Sequence, residues 1–159
     1  MASIGARFFG LFLDSLLYGL LATVFALPGG ILIGQSLKDC VTVKISNTES
    51  KIVCPPGSPK GGLLAAGIAL CVLGLLVIAV LYIRALGKTG QTWGRKIAGV
   101  KVVDKATGAP IGMGRAFGRT LFEQIISRSI CLLGYLWAIW DKDKQTWHDK
   151  VVNAIVIKA

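Results

Sequence analysis

The sequence predicts a mainly α membrane protein. It would combine a two-helix transmembrane hairpin, a bent amphipathic or re-entrant helical segment and a small cytoplasmic β-unit. Three observations carry this. Apolar residues make up 53% and charged residues 16% of 159 residues, with a mean hydropathy of +0.66; a soluble domain carries roughly 25% charge. Two long runs are almost free of charge: Phe8 to Ile33 holds only Asp14, and Gly61 to Ile83 holds none. Eighteen basic against eight acidic residues give a net charge of +10, and the basic residues crowd behind the second run. In a soluble chain that charge would point to nucleic acid; in one this apolar it points to an anionic membrane face, with no nucleic-acid partner expected.

The first span is read over about residues 8–34. A helix rising about 1.5 Å per residue crosses the bilayer core in about 20 residues. Pro28-Gly29-Gly30 is expected to kink or end it, leaving Phe8 to Leu27 as the regular part. Val24-Phe25-Ala26 has the small residues of a signal-peptide cleavage site, but Asp14 inside the apolar run opposes cleavage, so the segment is read as retained. The second span is read over 61–84. The polar loop 35–60 between them contains Pro55-Pro56-Gly57-Ser58-Pro59 and an alternating stretch, Cys40 to Ile45, that reads as a short strand. Cys40 and Cys54 are the only cysteines outside apolar segments. A disulfide between them is expected if the loop faces an oxidising compartment; the other reading is two unpaired thiols. Cys71 and Cys131 read as small packing residues.

Arg84, Lys88, Arg95, Lys96, Lys101, Lys105, Arg115 and Arg119 follow the second span. The positive-inside rule makes this block cytoplasmic, the 35–60 loop extracytoplasmic and both termini cytoplasmic. Residues 97–111 read as a β-hairpin turning at Asp104-Lys105-Ala106-Thr107-Gly108. The C-terminal run 151–157 reads as a strand pairing with Gly99 to Asp104. In the helical segment 113–140, Arg115, Arg119 and Glu123 fall on one charged face, which suits the interface plane. The apolar stretch from Ser129 to Trp140 is about 18 Å long as a helix, too short to span, so a bend or re-entry is expected. The alternative is one tilted span from Thr120 to Trp140 that buries Glu123 and Arg128; Lys142, Lys144, Lys150 and Lys158 beyond it disfavour that. Trp93, Trp137, Trp140 and Trp147 suit a membrane-interface belt.

Asp14 is the costly residue, since a lone carboxylate at mid-helix costs about 2.5–3.5 kcal/mol on insertion scales. Arg7, nearly two turns earlier, shares its face but lies too far along the axis for a tight pair. Arg84, Arg119 and Arg128 are candidate partners for Asp14, and an acidic residue of the tail for Arg7. His148-Asp149 reads either as a proton relay or as a loop histidine beside a cap for the final strand. No nucleophile–base pair, metal-ligand set or phosphate-loop spacing is visible, so neither an enzyme nor a cofactor is expected.

Arg7, Asp14 and the downstream His148-Asp149 resemble the signature of the RDD family of bacterial membrane proteins, named for one arginine and two aspartates. Gly90-Gln91-Thr92-Trp93-Gly94-Arg95-Lys96 followed by Gly99-Val100-Lys101-Val102-Val103 is similar to that family's central motif. Gly134-Tyr135-Leu136-Trp137 and the apolar C-terminal strand also fit. The resemblance covers nearly the whole chain as one domain, 1–159. It implies that Arg7, Asp14 and Asp149 are the named positions, with Asp141 a rival for the third, in a bacterial inner membrane. The loop with Cys40 and Cys54 falls outside the pattern. The resemblance implies transport of unidentified ligands, with cation/proton exchange as one form. An intramembrane carboxylate beside an arginine can load and release a proton or Na⁺ as the arginine re-pairs. So small a chain would need a homo-oligomer or a partner membrane protein, for which Gly30-x-x-x-Gly34 and Gly114-x-x-x-Gly118 offer close-packing surfaces. The other readings are an accessory or scaffold subunit in which the Arg/Asp network is structural, and a lipid-binding or sensing protein.

Overall fold

The computed structural model of the chain describes residues 1–45, 49–127 and 133–159. The fold is mostly helical, with two helices long and apolar enough to cross a membrane: α1, Ile4–Leu37, and α2, Gly61–Thr89. Only 11% of the most apolar window of each is buried within the chain. A core helix of a soluble protein would be mostly covered; these present their apolar side chains outward. The residues form two compact units, 20–78 and the combination of 1–19 with 79–159.

The 20–78 unit contains the later part of α1, a β-hairpin and the earlier part of α2. Helix α1 continues through Pro28 to Leu37, so the expected break at Pro28-Gly29-Gly30 does not occur. Proline removes one N–H from the ladder, and in an apolar environment staying helical is what satisfies the remaining backbone groups. Leu20, Val24, Leu27 and Ile31 form an exposed stripe at helical spacing. Within this unit the two helices approach each other through glycines. A Cβ on Gly67 would lie 2.7 Å from the Gly29 carbonyl oxygen, and one on Gly74 would lie 2.5 Å from Phe25 Cβ. Gly30 and Gly34 face open space within the chain, as do Gly114 and Gly118. Strands β1, Val41–Lys44, and β2, Ser50–Val53, pair antiparallel with Val41 opposite Val53. The Cys40–Cys54 disulfide clips the open end of this hairpin. Ser36 Oγ donates to the Lys60 carbonyl at 3.0 Å, tying the loop's two ends.

The second unit is built around a two-stranded ribbon. After α2 the chain forms a short helix α3, Trp93–Ile97, then β3, Val100–Asp104. Helix α4, Met113–Phe122, runs into a π-helical turn at Glu123–Ser127. A helical turn α5, Leu133–Leu136, passes into a 3₁₀ turn at Trp137–Ile139; then come α6, Trp147–Val151, and β4, Ala154–Lys158. Strand β4 pairs antiparallel with β3, from Val100 opposite Lys158 to Asp104 opposite Ala154, as the sequence predicts. The expected 97–111 hairpin does not form. Ile97 is helical, and after β3 the chain turns tightly, with Gly108 N donating to the Asp104 carbonyl at 2.9 Å. Gly108 and Gly112 at positive φ, with Pro110 lacking an N–H, cannot continue a ladder. The expected strand 151–157 is likewise corrected. Its start belongs to α6, and Asn153 at φ 50° turns the chain into β4.

Leu86, Val100, Val102, Ile111, Ala116, Ala154 and Val156 are the heart of the core. The N-terminus joins it: Ala2 N donates to the Val156 carbonyl at 3.0 Å. The described residues of segment 113–140 form α4, the π-helical turn, α5 and the 3₁₀ turn, and of the three charges expected on an outer face Arg115 alone is exposed. Arg119 and Glu123 are buried, whereas Phe117, Leu121 and Ile125 are exposed. That inversion suits an apolar surrounding rather than water.

Candidate functional site

Every named charge except Arg128, which lies outside the described residues, can be placed. Asp14 is 4% exposed on α1. Its Oδ1 accepts the Gly94 backbone N–H at 2.7 Å, and its Oδ2 accepts the Thr92 hydroxyl. Thr92 is the N-cap residue of α3 but does not cap it with its own side chain. The carboxylate of Asp14 takes that role, supplying the acceptor that the first turn of a helix lacks. Only Gly94 permits this, because a Cβ there would stand 2.4 Å from Asp14 N and 2.5 Å from the Gly10 carbonyl oxygen. Among the described residues the basic partner of Asp14 is Arg95, with Nε 4.0 Å from Oδ2, rather than Arg84 or Arg119 as expected. Arg95 Nη2 donates to Tyr82 Oη at 3.0 Å, and its guanidinium lies 5.6 Å from that ring's centre.

Arg119 and Asp149 form a second centre. Arg119 Nε and Nη2 each lie 2.8 Å from Asp149 Oδ1, and Nη1 reaches Glu123 Oε2 at 3.5 Å. Tyr135 donates its hydroxyl to the other Glu123 oxygen at 2.6 Å. Asp149 Oδ2 accepts the Thr146 hydroxyl at 2.7 Å and the Thr146 N–H at 3.3 Å, completing a capping box at the start of α6. Asp149 thus caps a helix rather than the strand. Burial alone would raise its pKa, but the Arg119 guanidinium and its hydrogen bonds hold it well below the usual carboxylate range. Glu123 is also lowered: burial opposes this and Arg119 outweighs it. Arg119, despite burial, is held more firmly cationic by the two carboxylates. His148 is 2% exposed, with Nε2 4.0 Å from Asp149 Oδ1 and its ring edge-on to Tyr135. Burial first, then Arg119, push its pKa down to about 4, so it is neutral at physiological pH.

Arg7 meets no acidic side chain within ion-pair distance among the described residues. It donates Nη1 to the Lys144 carbonyl and Nη2 to the Val156 carbonyl at 3.1 Å, binding α1 to the ribbon. Asp141 stands apart. It accepts the N–H groups of Asp143 and Gln145 at 3.2 and 2.9 Å and pairs with Lys150, a turn-forming role.

Arg7, Arg119, His148 and Asp149 are brought to one cavity of about 140 Å³, joined by Arg95, Tyr135 and Thr146. Sequence reading missed Arg95, Thr146 and Tyr135 as members. A signal for the first two was present as an internal repeat. Gln91-Thr92-Trp93-Gly94-Arg95-Lys96-Ile97 matches Gln145-Thr146-Trp147-His148-Asp149-Lys150-Val151. Each copy makes a threonine-started short helix and then a strand of the ribbon. Gln91 Nε2 donates to the Val100 carbonyl at 3.1 Å and Gln145 Nε2 to the Ala154 carbonyl at 2.8 Å. Positive φ recurs at Gly90 and Lys144, and again at Gly99 and Asn153. Val102 faces Val156, each third in its strand. The register therefore has local two-fold symmetry. Arg95 and Asp149 occupy the matching position of the two copies, and both line the cavity.

Among curated proteins, the proline-rich antigen of Mycobacterium leprae is 35% identical over 71 residues, 45% of this chain and 28% of that protein. The proline-rich antigen homolog of Mycobacterium tuberculosis is 31% identical over 127 residues, 80% of this chain and 52% of that protein. The chain thus spans about half or less of the length of these relatives. No solved structure matches it. The RDD family model matches residues 1–153, the stretch that contains Arg7, Asp14 and Asp149. The chain belongs to the RDD family.

Proposed function

We propose that this chain is a bilayer-spanning module that moves a small ion or solute, with the buried Arg/Asp network as its working element. The observation that carries the reading is the position of Arg95. It faces Asp14 on one side and lines the cavity that holds Arg119 and Asp149 on the other. A species entering the cavity would compete for Arg95 and so change its hold on Asp14, which is the kind of coupling an exchanger needs. Both termini would face the cytoplasm of a bacterial inner membrane, with the disulfide-clipped hairpin outside; the basic block after α2 and the redox preference of disulfides support this orientation. The working unit would be an oligomer, because two spans enclose little.

A specific observation favours a second reading, a non-transporting accessory subunit. Asp14 caps α3 and Asp149 caps α6, so both carboxylates already have structural employment. Purified protein in liposomes, with a pH dye inside and imposed Na⁺ or K⁺ gradients, separates the two. Flux in wild type that disappears in a folded Asp14→Asn variant supports transport. No wild-type flux, with Asp14→Asn failing to assemble, supports the accessory role. For orientation, a cysteine introduced at Lys158 should be labelled only from the cytoplasmic side.

A further inference from the structure

We infer that the cavity beside Arg95 and Arg7 is a binding site for the oxyanion head of an anionic amphiphile, a carboxylate or phosphate group carrying a hydrocarbon tail. The inference rests on the chain being bilayer-embedded but goes beyond transport, since it requires binding alone.

The donors come first. Arg95 is 4% exposed, yet its Nη1 has no acceptor among the described residues. Its Nη2 is used by Tyr82, and the nearest carboxylate oxygen is 4.0 Å from Nε. Asp14 does not compensate for that distance, because its two oxygens are already taken by Gly94 and Thr92. Arg7 Nε is also buried without an acceptor among the described residues. A buried guanidinium with an idle N–H forfeits a charge-assisted hydrogen bond. An oxyanion in the cavity would restore one to each arginine.

The lining then fixes the sign and the tail. Arg7, Arg95 and Arg119 line the cavity, against Asp149 as its acid. Asp149 is occupied by Arg119 and Thr146, and His148 holds no positive charge there at neutral pH. A cation would meet three guanidiniums. An anion meets two of them with N–H groups to spare. The rest of the lining is apolar, including Phe8, Leu136 and Ile139, and these three are exposed at the rim, Phe8 by 72%. A free inorganic anion gains nothing from that rim. A hydrocarbon tail lying along it does. The volume, about 140 Å³, admits several waters or one compact head group.

The purified 159-residue chain in non-ionic detergent is titrated by microscale thermophoresis with oleate, dioleoyl phosphatidylglycerol, dioleoyl phosphatidylcholine and inorganic phosphate. Saturable binding of an anionic amphiphile is expected, with oleate and phosphatidylglycerol telling a fatty carboxylate from a lipid phosphate. Arg95→Gln should weaken it about tenfold, which is ~1.4 kcal/mol. Because that variant also loses a buried contact, Leu136→Trp, which narrows the rim and leaves every charge in place, should weaken binding as well. Should Arg95→Gln fail to fold, Leu136→Trp decides. Equal binding of phosphatidylcholine, competition by phosphate alone, no amphiphile binding, or unchanged affinity in the folded variants would each overturn the inference. Binding without ion flux leaves it standing and removes only the transport reading; flux without binding does the reverse.

Discussion

Asp14, inside an apolar helix, receives the backbone N–H of Gly94 at 2.7 Å, across 80 positions of sequence. The contact explains how a carboxylate is tolerated there. Its charge is answered by a helix N-terminus, a hydroxyl and a nearby guanidinium rather than by one tight ion pair.

Gly94→Ala should therefore be damaging while Asp14→Asn is mild. The alanine Cβ would meet Asp14 N and the Gly10 carbonyl oxygen, both backbone atoms and unable to yield. Forced overlaps of this kind cost about 1–3 kcal/mol. Asparagine keeps an acceptor for Gly94 N–H; it loses the charge, and the Thr92 hydroxyl, which donates to Asp14 Oδ2, must turn to accept from the amide instead. Thermal unfolding in detergent, followed by tryptophan fluorescence, should rank Asp14→Asn well above Gly94→Ala. The opposite ranking would show that charge, not close approach, holds α3 against α1.

Arg119 serves two carboxylates, whereas Glu123 has a second partner in Tyr135. Removing one member of a buried pair leaves the other charge uncompensated, at about 3–5 kcal/mol. Arg119→Met should cost at least that much and Glu123→Gln distinctly less. Asp149→Ala should resemble Arg119→Met, because it also opens the α6 capping box. Chemical unfolding of the three variants in one detergent gives the comparison.

The two spans, the Cys40–Cys54 link and the β3–β4 pairing were legible in the sequence, because each rests on a local pattern: apolar length, cysteines in a polar loop, β-branched runs. The partners of the charges were not. Arg95 and Arg119 look alike in sequence, and choosing between them for Asp14 depends on how α3 returns against α1. The 97–111 hairpin misled because its turn signal is real while its second strand is supplied by residues 50 positions further on. Segment 113–140 misled for a different reason. A charged helical face reads as the wet face, yet here Arg119 and Glu123 turn inward and meet their counter-charges.

The repeat gives a test at Gly90 and Gly99, both at positive φ. A Cβ on Gly90 would lie 2.2 Å from the Val102 carbonyl oxygen, while Gly99 has open space around it. Gly99→Asn, which copies Asn153 in the second repeat, should cost no more than about 1 kcal/mol, since Asn tolerates the left-handed region. Gly90→Ala combines strain with a backbone clash and should prevent β3 from docking. Expression and monodispersity of the two variants will tell them apart.

Reduction should expose two additional thiols, those of Cys40 and Cys54. Maleimide labelling of the denatured chain with and without reductant should differ by two labels in wild type and by none in a Cys40→Ser/Cys54→Ser variant. No difference in wild type would mean that the hairpin closes without the covalent link.

His148 gives the pH dependence. In the folded chain its pKa lies at about 4, pushed down by burial and by Arg119, while in an unfolded chain it titrates near 6.5. The unfolded state therefore binds the proton first. Stability contributed by neutral His148 is fully present above about pH 6.5 and declines as pH falls towards about 4, by roughly 3 kcal/mol over that window. Asp149, also lowered, adds its own loss only once the pH passes below the ordinary carboxylate range. Unfolding followed from pH 7.5 to 4.5 should thus show a decline in wild type that flattens in His148→Asn, even where that variant begins from a lower value. An unchanged slope in the variant would assign the acid sensitivity to other groups, and would mean that His148 takes up its proton within the fold near neutrality, as a proton relay requires.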